Sequence, residues 1–391
     1  YYTGRSLVRV FTRLKNGNGG LNKQNTPAII LLFILSRIYM KKIKQISMKA
    51  AVLFKSKNPL KIIRVDLPNH LLDGQVLVKL HYSGICGSQI GEIDAIKGKD
   101  NYLPHLLGHE GSGTVIEIGP NVKTVKPKDK VILHWRPGLG KQSKPPLYNY
   151  KGKKINAGWI TTFNEFGIIS ENRLTKVTSK INLITAPLYG CAITTGFGVI
   201  KNNAKLKKNN SLIIYGAGGI GLNMIQAAKL VKAKPIIAVD IYDKKLALAK
   251  KCGATHTINS LKEKNFKEKI IKILQGKKLD VFIDNTGIPK VIELGYELIA
   301  KKGKLVLVGV PGKGKKIRIH TLPIHFGKKI IGSEGGSSKP NKDIPNILKL
   351  VKSKKINLIK LISKTYKLDK INEAIKDIRS GAISGRAIIK L

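Results

Sequence analysis

Residues 213–222 read IIYGAGGIGL. An apolar run ends in Gly216-x-Gly218-x-x-Gly221 and passes into a segment, AGGIGLNMIQAAKLVKA, with helical spacing of its apolar residues. Strand, glycine turn and helix together are the context in which this pattern carries chemistry; a lone glycine turn is also an ordinary packing device. Gly216 permits the tight turn, Gly218 lets the backbone approach a pyrophosphate, and Gly221 lets the helix pack on the sheet. Gly219 and Ile220 complete the helix N-terminus, where free N–H groups and the helix dipole favour an anion. The next strand, PIIAVD, ends in Asp240. Its carboxylate can accept from both hydroxyls of a ribose and would repel a 2′-phosphate, which points to NAD rather than NADP. Lys245 lies just beyond, within reach of the same ribose.

Outward from this turn, residues 193–335 alternate buried strands (SLIIYG, PIIAVD, LDVFIDNTG, KLVLVGV) with helical segments such as DKKLALAKKCG. Continuous apolar strands of this kind fit a parallel sheet covered on both faces, an α/β, doubly wound domain. Residues 48–192 read differently: MKAAVLF, QVLVKLHYSG, GSGTVIEIG and PKDKVIL are short strands set off by turn residues, with few long helices. Residues 336–391 hold an amphipathic helix near DIPNILKLVKSKK and a closing strand, GRAIIKL, and are expected to return to the β-rich part. Residues 1–47 look foreign to the rest, with nine Lys/Arg and no Asp or Glu. Their apolar run, PAIILLFIL, is shorter than the roughly 20 residues of a membrane span. The expectation is an N-terminal extension that is disordered or not native, with translation starting at Met40 or Met48.

Seventy-two Lys+Arg against 23 Asp+Glu leave a net charge of +49. That balance raises nucleic acid as a partner. The lysines are spread evenly, however, and no nucleic-acid module is present, so the charge reads as solvated lysine rather than a binding stripe. Weak, salt-sensitive attraction to polyanions is expected. Three cysteines cannot build a disulfide framework and suit a reducing, cytoplasmic compartment. Cys86 (in SGICGSQ), His109 (in LGHE) and Cys191 (in YGCAITTGFG) are separated by 23 and 82 residues. That spacing is not finger-like, and it leaves a shared metal and scattered buried residues both open. Cys252, on a helix of the nucleotide domain, reads as structural.

The segments SGICGSQ, LPHLLGHEGSGTVIEIGPNV, PKDKVI, YGCAITTGFGVI, IIYGAGGIGL, IIAVD and SGRAIIKL occur in an order that resembles the zinc-dependent alcohol dehydrogenase branch of the medium-chain dehydrogenase/reductase superfamily, over 344 of the 391 residues. The resemblance implies a GroES-like catalytic domain built from both chain ends (48–192 and 336–391) around a Rossmann NAD-binding domain (193–335). It implies one catalytic zinc on Cys86, His109 and Cys191, with an open fourth position. By the same resemblance Glu110 supports the metal or forms a structural ion pair, and Ser88 takes the alcohol proton or merely caps a turn. Arg386 nears the cofactor pyrophosphate, and Thr286, Val308 and Val310 line the nicotinamide. The implied activity is hydride transfer between a small alcohol and NAD, giving an aldehyde or ketone, in a cytoplasmic homodimer or homotetramer. A zinc-free quinone-oxidoreductase-type reductase and a non-catalytic nucleotide-binding scaffold are the alternatives.

The departures matter as much. Residues 131–160 contain no cysteine, so the four-cysteine structural zinc lobe of many relatives is replaced by a loop rich in Gly, Pro, Lys and aromatics. Its Lys141, Lys144 and Lys151 are candidate selectors of an anionic or sugar-like substrate. Gly87, Gln89 and Gly91 stand where related enzymes often carry a phosphate-contacting residue, an aspartate supporting the zinc, and a histidine ending a proton relay.

Overall fold

A computed structural model describes residues 41–42, 45–178 and 181–391. Residues 1–40, the bulk of the expected extension, lie outside the described residues. Lys41–Lys42 pairs antiparallel with His70–Leu71, and the first long strand is Ser47–Leu53.

The glycine turn sits in a six-stranded, wholly parallel sheet. Its order is His256–Asn259, Ile236–Asp240, Leu212–Tyr215, Val281–Asp284, Lys304–Leu307, Lys329–Gly332. The strand order reverses between Leu212–Tyr215 and Val281–Asp284, which is where such sheets open a crevice for a ligand. Both faces are apolar because both are covered. Leu212, Ile214, Ala238 and Ile283 pack with helix Gly219–Val231 on one side. Ile213, Val239 and Phe282 pack on the other with Ile270 and Ile292, from helices Phe266–Leu274 and Pro289–Leu298.

The remainder is β-rich. One mainly antiparallel sheet runs Leu174–Val177, Lys130–His134, Glu110–Ile118, Gln75–Ile85, Arg386–Lys390, Ile362–Lys367, with Phe166–Ser170 also on Gln75–Ile85. A second places Ser47–Leu53 between Lys61–Asp66 and His105–Leu106. The chain's last strand therefore lies against its early strand, Ile388 opposite Gly84. The helices Pro187–Gly190 and Ala192–Gly198 carry Leu188, Tyr189 and Ile193 into the same buried cluster as Leu222 and Ile225 of the glycine-turn helix. They join the two parts of the molecule and set the site beside the nucleotide turn. Among the described residues no helix is long and apolar enough to cross a membrane.

Candidate active site

Three element ends converge. Cys86 follows strand Gln75–Ile85 and caps the short helix Gly87–Ile93. His109 immediately precedes strand Glu110–Ile118. Cys191 sits in the break between helices Pro187–Gly190 and Ala192–Gly198, with φ −149° and ψ −68°. Strands Gln75–Ile85 and Glu110–Ile118 pair side by side and helix Pro187–Gly190 packs on both, so residues 105 apart, Cys86 and Cys191, place their sulfurs 4.0 Å apart. All three donor atoms lie within 4.8 Å of one another. Two thiolates on one tetrahedral zinc, at about 2.3 Å each, would stand about 3.8 Å apart. His109 Nε2 is buried and has no hydrogen-bond partner. A buried imidazole nitrogen without a partner is costly unless something fills the place of the partner. The donor set and its spacing fit zinc. Among the described residues this is the one group of three or more ligating side chains so arranged.

The surroundings tune the donors. The Cys86 thiol is held far below its ordinary range by the hydrogen bond with Cys191, helped by the charges of Arg386 and His109 and opposed by burial. Cys191 is pushed the other way by the same contact and by burial. One proton shared by two adjacent thiols is what a cation would displace. Burial disfavours the charged form of His109, but the Cys86 sulfur outweighs it and raises the imidazole. Gln89 bridges the pair: its Oε1 accepts from the Cys86 N–H at 2.9 Å, and its Nε2 meets His109 Nδ1. The helix start is thus capped by Gln89 rather than by Ser88, which stays exposed on the first turn.

Behind the donors, fully buried Glu110 pairs with Arg386, Oε1 to Nε at 2.9 Å and Oε2 to Nη2 at 3.2 Å. Burial drives the Glu110 carboxyl up to about 7 against the pull of Arg386. Arg386 also donates to the Ile85 carbonyl at 3.3 Å. A methyl on Gly219 would stand 3.2 Å from its guanidinium carbon. The arginine therefore spans from Glu110 to the glycine turn, and the structural ion pair and the position beside the nucleotide loop are one and the same arrangement. Gly84 is the residue that makes this possible, because any side chain there would overlap the Glu110 carboxylate.

The turn itself has the form its residues imply. Gly216 has φ +102°, a region side chains avoid. A Cβ on Gly221 would overlap the Gly216 carbonyl, whereas a Cβ on Gly218 would meet nothing within 4 Å. The backbone at Gly218 is thus open to a ligand. Asp240 ends its strand next to the turn, accepting from Ala217 N at 2.8 Å, Ile241 N at 2.8 Å and Tyr242 N at 3.1 Å. Lys245 Nζ lies 4.0 Å from it and over the Tyr242 ring. Thr286 and Gly287 are anchored by buried Asp284, whose Oδ1 accepts from Thr286 N at 2.9 Å and Oγ1 at 2.6 Å. The Asp284 carbonyl accepts from Val308 N at 2.8 Å, which draws the two segments together; Val310, further along, is exposed.

Comparison with known proteins is consistent along the chain. The alcohol dehydrogenase GroES-like domain matches residues 72–179, and the zinc-binding dehydrogenase family matches residues 219–353. The S-(hydroxymethyl)glutathione dehydrogenase of Photobacterium damsela subsp. piscicida is 31% identical over 368 residues, covering 85% of this chain and 97% of the relative. That of Synechocystis is 30% identical over 369 residues, covering 87% and 99%. The benzyl alcohol dehydrogenase structure from Acinetobacter calcoaceticus superposes with a TM-score of 0.79 at 29% identity, covering 89% of this chain and all of that one. The chain belongs to the zinc-dependent alcohol dehydrogenases of the medium-chain dehydrogenase/reductase superfamily. It is an oxidoreductase acting between alcohols and aldehydes or ketones, with zinc and NAD as its cofactors.

In this dehydrogenase a cavity of about 470 Å³ opens beside His109. Gln89, Glu92 and Asp100 bound it on one side, and Pro145 and Asn156–Ile160, from the loop that replaces a structural zinc lobe, on the other. Lys141, Lys144 and Lys151 are not among its lining residues; Lys141 is paired with Asp73 instead. The expectation that these lysines select an anion is therefore not met by their placement. Trp135, from the same loop, stands 6.5 Å from the His109 ring centre. Neither Asp284 nor Trp135 was singled out by the sequence reading, although the D-N-T-G run carries the signature of a side chain capping its own turn. Cys252 is buried on helix Asp243–Cys252 and its thiol is pushed up to about 11 by burial, in keeping with a structural role.

Proposed function

We propose that Cys86, His109 and Cys191 hold the catalytic zinc and that the glycine turn holds NAD, in an enzyme oxidising a small alcohol or reducing its aldehyde or ketone. The convergence of two sulfurs and an unpartnered, buried imidazole nitrogen carries this reading. Zinc bound there would supply a Lewis acid for an alcohol or carbonyl oxygen, and the nicotinamide would carry the hydride. The chain's own residues do the rest. Gln89 fixes the His109 ring through Nδ1 and ties it to the Cys86 backbone. Glu110 and Arg386 place a carboxylate behind the donors and a guanidinium toward the pyrophosphate. Ser88 Oγ, exposed at the helix start, accepts the alcohol proton and passes it to solvent. Gly216, Gly218, Gly219, Ile220 and Gly221 cradle the phosphates, while Asp240 and Lys245 take the adenosine ribose. Thr286, Val308 and Val310 border the nicotinamide.

In this reading 48–192 with 336–391 form the catalytic domain and 193–335 the NAD domain, and the active form is a homodimer or homotetramer in the cytoplasm. The three free cysteines support the compartment. Exposed Val310, Leu322, Ile324 and Phe326, on segments leading into the outer strand Lys329–Gly332, support the oligomer. The test is metal analysis with Cys86→Ser. The parent chain should hold about one zinc and oxidise primary alcohols with NAD. The variant should lose zinc and turnover but still quench and shift NADH fluorescence. Full carbonyl reduction by zinc-free protein would overturn the assignment.

A further inference from the structure

Lys and Arg make up 72 of the 391 residues, yet none of the fifteen residues lining the cavity beside His109 is either. Two carboxylates line it, and they are not equivalent. Asp100 Oδ2 lies 2.7 Å from His105 Nε2, and the other ring nitrogen of His105 lies 3.0 Å from the Leu106 carbonyl oxygen. Both ring nitrogens thus face acceptors. The Asp100 charge is matched within the wall. The exposed Glu92 side chain has no hydrogen bond or ion pair among the described residues, and His105, His109 and Lys97 act on its charge through space without pairing. Its charge is available to whatever enters. The same cavity reaches His109, so an occupant lies beside one of the three residues proposed to hold the zinc. Tyr102, which is exposed, adds a ring face that attracts cations.

We propose that Glu92 is a specificity-determining residue and that this cavity selects alcohols and aldehydes whose tail carries an ammonium group, and disfavours those whose tail carries a carboxylate. The proposal rests on the alcohol–NAD reading above. An unpaired carboxylate on the wall of a cavity lined by no Lys or Arg attracts a cation and repels an anion, and the lining His105 is already engaged by Asp100.

The test compares kcat/KM of the zinc-loaded full chain for 5-amino-1-pentanol, 1-pentanol and 5-hydroxypentanoate with NAD. The amine should lead the neutral alcohol by about threefold, and the carboxylate should trail it by a similar factor. Glu92→Gln should bring the amine-to-neutral ratio close to one. Calorimetry adds a readout free of turnover: n-pentylammonium should bind more tightly than pentanoate, and Glu92→Gln should remove the difference. A carboxylate tail preferred over the neutral one, S-(hydroxymethyl)glutathione preferred over the amino alcohol, or an unchanged ratio in Glu92→Gln would overturn the proposal. So would an equal loss on all substrates, which marks Glu92 as structural. If no alcohol is oxidised although zinc and NADH bind, the alcohol reading fails by itself. The calorimetric comparison then still decides for or against Glu92.

Discussion

His134 lies directly opposite Glu110 across two antiparallel strands and is 1% exposed. Its Nδ1 is 2.7 Å from the Arg136 carbonyl and its Nε2 is 2.9 Å from Thr175 Oγ1, so the neutral ring is satisfied where it stands. Burial lowers its pKa from 6.5 to about 4. Between those values the unfolded chain binds a proton that the folded chain refuses, so stability rises with pH in this window and is lost as pH falls through it. The loss should total about 3 kcal/mol from this group. Thermal unfolding from pH 7 to 4 should show a shallower decline in His134→Gln than in the parent, with the two profiles parallel above pH 7. Equal slopes would remove His134 from the acid response. The metal donors illustrate what single residues disclose beforehand. Cys86, His109 and Cys191 were visible as residue types in familiar segments, but no spacing along the chain says that two sulfurs end 4.0 Å apart. That distance is made by strands and a helix that meet from far apart in sequence. The exposure of Ser88 was equally hidden, because the capping function was taken by Gln89, a residue first noted only as a departure.

At the scale of elements, the cysteine-free stretch 131–160 is held by one buried side chain. Glu171, in the one-turn helix Glu171–Arg173, is almost fully buried. Its carboxylate accepts from Lys123 N at 2.6 Å, Thr124 N at 2.7 Å and Lys141 N at 2.7 Å, so a single side chain ties three points of two loops. Gly140, at φ +97°, gives it room, since a Cβ there would stand 2.6 Å from the Glu171 Cγ. Arg173 continues the work, reaching the Trp135 carbonyl and Gln142 Oε1 and lying 5.1 Å over the Trp159 ring. The pinned loop is the one that walls the cavity through Pro145 and Asn156–Ile160. Glu171→Gln keeps the shape but turns one charged acceptor into an amide donor facing backbone N–H groups. It should cost about 2 kcal/mol and lower the unfolding midpoint by several degrees. Amide exchange should speed up around residues 123–124 and 138–145 while zinc content stays at the parental value. Unaltered exchange in that loop would show that Arg173 and the flanking strands suffice. From sequence the absence of cysteine in 131–160 was plain, but the replacement was not, because Glu171 lies outside that stretch.

For the whole molecule, the parallel half was legible because its four central strands are covered on both faces and read as apolar runs closed by Gly or Asp. The β-rich half was legible as strands but not as sheets: nothing local tells Arg386–Lys390 to lie on Gln75–Ile85. The cavity's character was hidden for a related reason. Composition averages over the surface, whereas a pocket free of Lys and Arg is a property of what the fold assembles. The net charge of +49 acts at this same scale, and its effect on stability has a definite sign. Exposed pairs such as Lys262–Asp243 and Lys267–Glu297, both 2.6 Å, are weakened by salt, but pairs of that kind contribute only about 0–1 kcal/mol each. Against them stand 49 uncompensated positive charges, repelling one another over a screening length of about 30 Å at 0.01 M salt and about 10 Å at 0.1 M. Repulsion summed over the surface outweighs a handful of exposed pairs, and the unfolded chain relieves it by expanding. Added sodium chloride should therefore raise the unfolding midpoint of the zinc-loaded protein between about 0.01 M and 0.1 M. Sodium sulfate should be compared with it at equal ionic strength to separate screening from surface exclusion. A midpoint that falls over this range would mean that the surface carboxylates, few as they are, hold the fold more firmly than the excess of lysines strains it.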